Sequence, residues 1–235
     1  MIPSMDSTKL KYIANCLMAV NKYAPAQLGM PIMVARDIWS ISMLTIEDKN
    51  AAKVIYCDPY QTTAEALRRG LERFKGTITF AEDGRSHQIG EDVCVCHPQC
   101  KENVNIAGVI KLDYPLQASI RASTISVLTS NLKPKDDATV YLRNDSDGHY
   151  IGILDRIKVR MKGNIEPSTY TAFDISCLRK LNRMAKGNVD VGWQPNQGVI
   201  RFRWEAYGLI MTYYVAPRII NDEEIIKRLD KKVVL

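Results

Sequence analysis

No stretch of the 235 residues reaches the roughly 18 consecutive apolar residues of a membrane-spanning helix, and no basic start runs into an apolar segment of the secretory kind. Neither membrane spanning nor secretion is expected; an intracellular protein is. Histidine is scarce: His87, His97 and His149 are the three, and all fall at expected turns or strand ends. A glycine-rich phosphate loop, a nucleophile elbow and a paired-carboxylate motif are all missing, so neither an enzyme nor a bound cofactor is expected. Six cysteines in a chain without a secretion signal read as reduced thiols rather than a disulfide framework.

What is present is ordinary for a soluble globular protein, 46% hydrophobic and 25% charged. The length accommodates one large domain or two of about 110 to 120 residues. A net charge of +6 and a pI near 8.9 favour a polyanionic partner.

Four amphipathic helices are predicted. Ser7 is expected to cap the first, whose apolar positions Leu10, Ile13, Ala14, Leu17 and Val20 follow the 3.6 period. Thr62-x-x-Glu65 reads as a capping box opening the second, with Ala64, Leu67, Leu71 and Phe74 buried. Ser123 to Leu132 places Ile125, Leu128 and Leu132 at helical spacing, and a fourth helix starts at Asp174 with Leu178, Leu181 and Ala185 inward. Between them, Ile32–Val34, Trp39–Thr45, Ala52–Cys57, Ile78–Phe80, Val93–Cys96, Val104–Leu112, Val140–Leu142, Asp147–Leu154 and Ile157–Met161 read as strands.

The second and fourth helices end alike. Leu71-Glu-Arg-Phe-Lys-Gly76 precedes Thr-Ile-Thr-Phe, and Leu181-Asn-Arg-Met-Ala-Lys-Gly187 precedes Asn-Val-Asp-Val, an offset of 181 − 71 = 110 residues. Each half reads helix, strands, helix, strands. An α+β protein of two similar domains is expected, with residues 1–112 and 117–220 as the domains, 113–116 as connector and 221–235 as tail.

Near the C-terminus, Ile200, Phe202 and Trp204 alternate with Arg201, Arg203 and Glu205, Gly208 turns, and Leu209-Ile-Met-Thr-Tyr-Tyr-Val215 follows as an apolar strand ended by Pro217. This charged strand, glycine turn and Tyr-Tyr-Val-Ala-Pro-Arg-Ile with an acidic Asn-Asp-Glu-Glu tail resembles the C-terminus of DNA sliding clamps related to proliferating cell nuclear antigen. Looser similarities are Met43-Leu-Thr-Ile-Glu-Asp, Ala81-Glu-Asp and Asn164-Ile-Glu-Pro167.

The resemblance implies two clamp domains per subunit, sheets outside and basic helices lining a ring, and three identical subunits closed around duplex DNA. It implies a processivity factor that grips DNA without reading its sequence, in nucleus or cytoplasm, and tethers a DNA polymerase, a clamp loader and other replication proteins. A checkpoint-type or transcription-coupled clamp is the related alternative. By position the DNA-binding candidates are Lys11, Arg68, Arg69, Arg73, Lys75, Arg121, Arg179, Lys180, Arg183 and Lys186, with Glu65, Glu72 and Asn182 weakening the field. Taken one helix at a time, the same cations are the solvated face of any amphipathic helix. Ile46 and Tyr214-Val215-Ala216-Pro217 are the implied docking site for partner peptides, and Val104–Leu112 and Gly148–Leu154 the implied edges between subunits. The basic charge and short connector depart from the family pattern and suggest a divergent branch.

A different class of function would need Cys94-x-Cys96-His97-x-x-Cys100, with His87 and Cys57, to bind zinc in a nucleic-acid enzyme. A one-residue gap within a strand is awkward for tetrahedral ligation, so Cys94 and Cys96 read as small hydrophobes and no metal is expected. Asp136-Asp137 and Asp145-x-Asp147 carry oxygens suited to a hard cation but are explained by turn chemistry.

Overall fold

A computed structural model describes residues 4–28, 32–37, 42–48, 60–72, 77–80, 86–89, 93–96, 112–130, 132–133, 138–145, 148–153, 156–163, 169–194, 198–219 and 223. The chain divides into two units. The first takes Met1–Asp37, Met43–Gly108 and Glu205–Met211, and the second Ile38–Ser42, Val109–Trp204 and Thr212–Leu235.

In the first unit, β1 (Ser4–Asp6) runs into α1 (Ser7–Val20), followed by β2 (Pro25–Leu28), β3 (Ile32–Asp37), β4 (Ser42–Asp48), β5 (Tyr60–Thr63), α2 (Ala64–Leu71), β6 (Thr77–Phe80), β7 (Ser86–Ile89) and β8 (Val93–Cys96). One sheet has the order β1-β6-β7-β8, and β2 pairs with β5. The apolar stripe of α1 is buried as its period predicts, with Leu10, Ile13, Ala14 and Leu17 inaccessible to solvent. Its cap is Asp6 and not Ser7: Asp6 Oδ1 accepts from the Thr8 and Lys9 amides at 2.8 and 3.2 Å, while Ser7 is buried within the first turn. A carboxylate satisfies two orphan amides and places negative charge at the positive helix end, which a hydroxyl cannot do. On α2 the cap is Thr63, whose Oγ1 accepts from the Ala66 amide at 3.2 Å. The helix therefore starts one residue later than the expected Thr62-x-x-Glu65 box: with Thr63 as cap the third helical residue is Ala66, and the Glu65 carboxylate accepts from Arg69 at 2.7 Å.

The second unit holds β9 (Leu116–Arg121), α3 (Ala122–Ser130), β10 (Thr139–Asp145), β11 (Gly148–Ile153), β12 (Ile157–Gly163), β13 (Thr169–Asp174), α4 (Ile175–Met184), β14 (Asn188–Trp193) and the larger parts of β15 (Ile200–Ala206) and β16 (Leu209–Val215), whose turn-side residues Glu205–Met211 fall to the first. The strand order of the second unit is β13-β10-β11-β12-β9-β14-β15-β16. The core is aromatic, with Trp193, Trp204, Phe173, Phe202 and Tyr213 buried and the Phe202 ring 5.8 Å from Phe173. The terminal hairpin turns at Tyr207 and Gly208, whose φ of 54° and 72° are the left-handed pair that a two-residue type I′ turn requires. Gly148–Ile153, expected as a subunit edge, is instead flanked by β10 and β12, and its burial on both faces is that of an interior strand. Residues 52–57, 104–111 and Phe74, read as strands and core, lie outside the described residues.

The expected repeat is visible as topology. β1-α1-β2 and β5-α2-β6 fold so that β1 pairs with β6 and β2 with β5; β9-α3-β10 and β13-α4-β14 repeat this, β9 with β14 and β10 with β13. Registers agree as well. Asp6 faces Thr77 where Arg121 faces Asn188, and Pro25 faces Thr63 where Thr139 faces Asp174. The two helix caps, Thr63 and Asp174, are 174 − 63 = 111 residues apart, one more than the spacing of Leu71 and Leu181.

Candidate nucleic-acid interface

Of the cations expected to grip phosphate, Lys11, Arg68 and Arg69 lie on α1 and α2, which pack together in the first unit, and Arg179, Lys180 and Arg183 on α4, which packs on α3 in the second. On α1, Lys11 is half-exposed, whereas its neighbour Lys9 is bound to Asp48 with Nζ 2.6 Å from Oδ2. On α2, Arg68 and Arg69 are exposed but each holds a carboxylate one turn away, Glu72 at 3.1 Å and Glu65 at 2.7 Å. Exposed pairs of this kind add little stability. Their consequence is electrostatic, because the helix presents balanced charge to an approaching phosphate. Arg73 and Lys75 lie outside the described residues.

The second unit differs. α3 has no charged residue at all, only Ser, Thr, Ala and aliphatic side chains, and its Ser126 hydroxyl donates to Asn182 Oδ1 of α4 at 2.7 Å. α4 carries Arg179, Lys180 and Arg183 with no acid beyond its cap, Asp174, which accepts from the Ser176 amide at 2.7 Å. Arg179 donates to the Lys133 carbonyl, so part of its guanidinium is committed to the backbone. Arg183 and Lys186 are exposed and form no ion pair among the described residues. Arg121 belongs elsewhere: it ends β9 on the exposed side with Gln117 and Ser119, away from the Leu116, Ala118 and Ile120 side that is buried.

For partner docking, Ile46, Tyr214 and Val215 are buried in the core and only Ala216 and Pro217 are half-exposed. The chain leaving β16 is tied down just beyond them, where the Arg218 amide donates to the Ala172 carbonyl at 2.7 Å. The connector is anchored too. Tyr114 is buried with its ring under the Arg201 guanidinium at 4.4 Å, and a side chain at Gly192 would meet Tyr114 Cβ at 3.1 Å. That burial pushes the Tyr114 phenol up to about 12, with Tyr214 adding to the shift and Arg201 opposing it. In the Cys/His cluster, Cys94 and Cys96 lie on β8 opposite Gln88 and Ser86, while Cys57, His97 and Cys100 lie outside the described residues. No group of three potential ligands is placed to hold a metal among the described residues.

Sequence reasoning passed over one charged feature. β12 places Lys158, Arg160 and Lys162 on its exposed face, legible in the alternation Ile-Lys-Val-Arg-Met-Lys.

No family model and no curated protein matches the chain. Solved structures do. The PCNA2–PCNA3 complex of Sulfolobus tokodaii matches with a TM-score of 0.72 at 12% identity, covering 93% of this chain and 99% of that one. The PCNA of A. fulgidus, solved with the C-terminal region of FEN-1 bound, matches with a TM-score of 0.69 at 16% identity, covering 94% and 100%. Proliferating cellular nuclear antigen of Entamoeba histolytica matches with a TM-score of 0.73 at 10% identity, covering 93% and 100%. This chain has the α+β sliding-clamp fold.

Proposed function

We propose that the protein is a DNA sliding clamp: a scaffold, not an enzyme, that closes with other clamp subunits into a ring around duplex DNA inside the cell and tethers a polymerase and other replication proteins to it. The observation that carries this is the end-to-end match to clamp structures across a duplicated strand–helix topology, not a shared motif or a single domain. Arg183 and Lys186 are the cations best placed to track phosphates, because Arg183 lies on α4 and Lys186 just beyond its end, and α4 holds no acid past its cap; Lys11 adds a half-exposed cation on α1, and attraction without base contacts suits a protein that must slide. Arg179 and Lys180 add to α4. Arg68 and Arg69 contribute less while Glu72 and Glu65 hold them. Partner segments dock at Ala216 and Pro217, the half-exposed exit of β16. The test is topological. Loaded protein should stay on nicked circular DNA through a high-salt wash and slide off once the circle is cut. Equal loss from circular and linear DNA would sink the reading.

A further inference from the structure

The strands β13, β10, β11 and β12 share one apolar face, with Val140, Leu142, Ile151 and Phe173 fully buried on the side where α4 packs. Alternation puts a different chemistry on the other face. There the registers line up Tyr170, Arg143, Tyr150 and Arg160 in one row, aromatic and cation by turns, with Arg160 exposed and the other three half-buried. Lys158 and Lys162, both exposed, flank Arg160 along β12. Two glycines of β11 keep this face flat. A Cβ on Gly148 would sit 3.0 Å from Arg160 Nε, and one on Gly152 2.6 Å from Tyr141 Cζ, so a guanidinium and a ring lie across the strand where any other residue would push them up. Lys158 rests over the Tyr150 ring at 5.0 Å, so that ring face already holds a mobile cation. Carboxylates are confined to the corners: by register Asp174 and Asp145 end β13 and β10, and Asp174 is engaged as the cap of α4.

We propose that this face binds single-stranded DNA, with bases stacked on Tyr150 and Tyr170 and phosphates held by Arg160, Lys158 and Lys162. The two tyrosines stand two strands apart, about 10 Å at the usual spacing of paired strands, which leaves room for a base on each with Arg143 between them. Every base has a π-face, so stacking on tyrosine is indifferent to sequence while the cations follow the backbone. A base that stacks on Tyr150 displaces Lys158, whose flexible stem carries its ammonium to the adjoining phosphate. A duplex does not suit this chemistry, because its bases stack on one another and only its phosphates reach a flat surface. An acidic peptide does not suit it either: its carboxylates would pair with the cations and leave the tyrosines without a role. The site is separate from the helix cations, since α4 lies on the opposite side of these strands. The platform stands on register and burial; that its strand is DNA and not RNA rests on the clamp reading.

The experiment is fluorescence anisotropy with the full-length protein and a labelled thymidylate decamer, which needs neither a ring nor a circle, so this proposal and the clamp reading fail separately. Saturable binding is expected, and a decamer with the same phosphates but no bases should bind at least about fivefold more weakly. Tyr150→Leu, which keeps apolar bulk, should weaken the thymidylate at least about fivefold and leave the baseless strand unaffected. Lys158→Gln with Arg160→Gln, two exposed changes that leave the core alone, should weaken both strands by at least about that factor. Equal binding of the two strands, unchanged thymidylate affinity in either folded variant, or no saturable binding overturns the proposal. A uridylate decamer that binds more tightly than thymidylate makes the occupant RNA, and polyglutamate of equal charge that displaces thymidylate at equal concentration makes it an acidic protein; either result overturns it as well.

Discussion

Arg69 reaches back along α2 to hold Glu65 at 2.7 Å, and the electrostatics of the whole helix follow from that contact. With Arg68 held by Glu72 in the same way, α2 is close to neutral toward a phosphate, while α4 is not.

Arg183→Glu with Lys186→Glu is therefore expected to abolish retention on circular DNA in a folded protein, whereas Arg68→Gln with Arg69→Gln is expected to weaken it only slightly. Each lost phosphate contact lowers the slope of log affinity against log salt by about 0.9. A slope change of about 2 for the α4 pair and less than about 1 for the α2 pair is the measurable difference. The reverse ranking would place the DNA against α2.

Ala216→Asp with Pro217→Ala is expected to cut primer extension by a tethered polymerase roughly tenfold on a loaded circular template, since affinity in such sites concentrates in a few contacts. Ile46→Ala is a different experiment. Ile46 is fully buried, so truncating it costs about 2–5 kcal/mol of stability before any partner is added. Full stimulation by the Ala216/Pro217 variant, with its DNA loading intact, would move the docking site.

The Asp6 carboxyl is held below its usual value of 3.8 by the Lys9 and Thr8 amides. A depressed carboxylate contributes stability that is present above the unfolded value and lost as pH falls through the folded one. Asp6→Ala should lower Tm by roughly 2–4 °C near neutral pH and converge with the parent below that acid window. Thermal melts across pH 2–6 check this, and a constant gap would show that Asp6 acts otherwise.

At the alkaline end, Tyr114 is raised from 10.0 to about 12, its neutral form favoured by burial. Stability present below pH 10 should fall as pH rises toward 12. Tyr114→Phe keeps the ring under Arg201 and removes the phenol, so its melting temperature should fall less over that range. An identical alkaline decline in the variant would assign the loss to other groups.

Periodicity and order were enough for much of this fold. The α1 stripe, the β15–β16 hairpin with its glycine turn, and the two matching helix ends were all legible, because burial of one face imposes a spacing that a sequence carries on its surface. Short strands such as β1, β5 and β13 were not, since three to six residues paired mainly with distant partners leave too little pattern to recognise. Capping also slipped by one residue at both Asp6 and Thr63. Neighbouring hydroxyl and carboxyl groups are all competent caps, and the choice falls to whichever one the preceding strand aims at the free amides.

By itself, the sequence determined the repeat, the helix faces and the inventory of cations. The i,i+4 partners of Arg68 and Arg69 were legible too, since Glu72 and Glu65 stand one turn away in the string of letters. Only tertiary structure decided the distant partners, committing Arg179 to the Lys133 carbonyl and Lys9 to Asp48. The same holds for β12, whose alternating lysines and arginine were always readable but whose meeting with β9 at Lys162 and Gly163 alone is shown only by the pairing register. A charge belongs to a residue, while a field and a pairing register belong to what lies beside it.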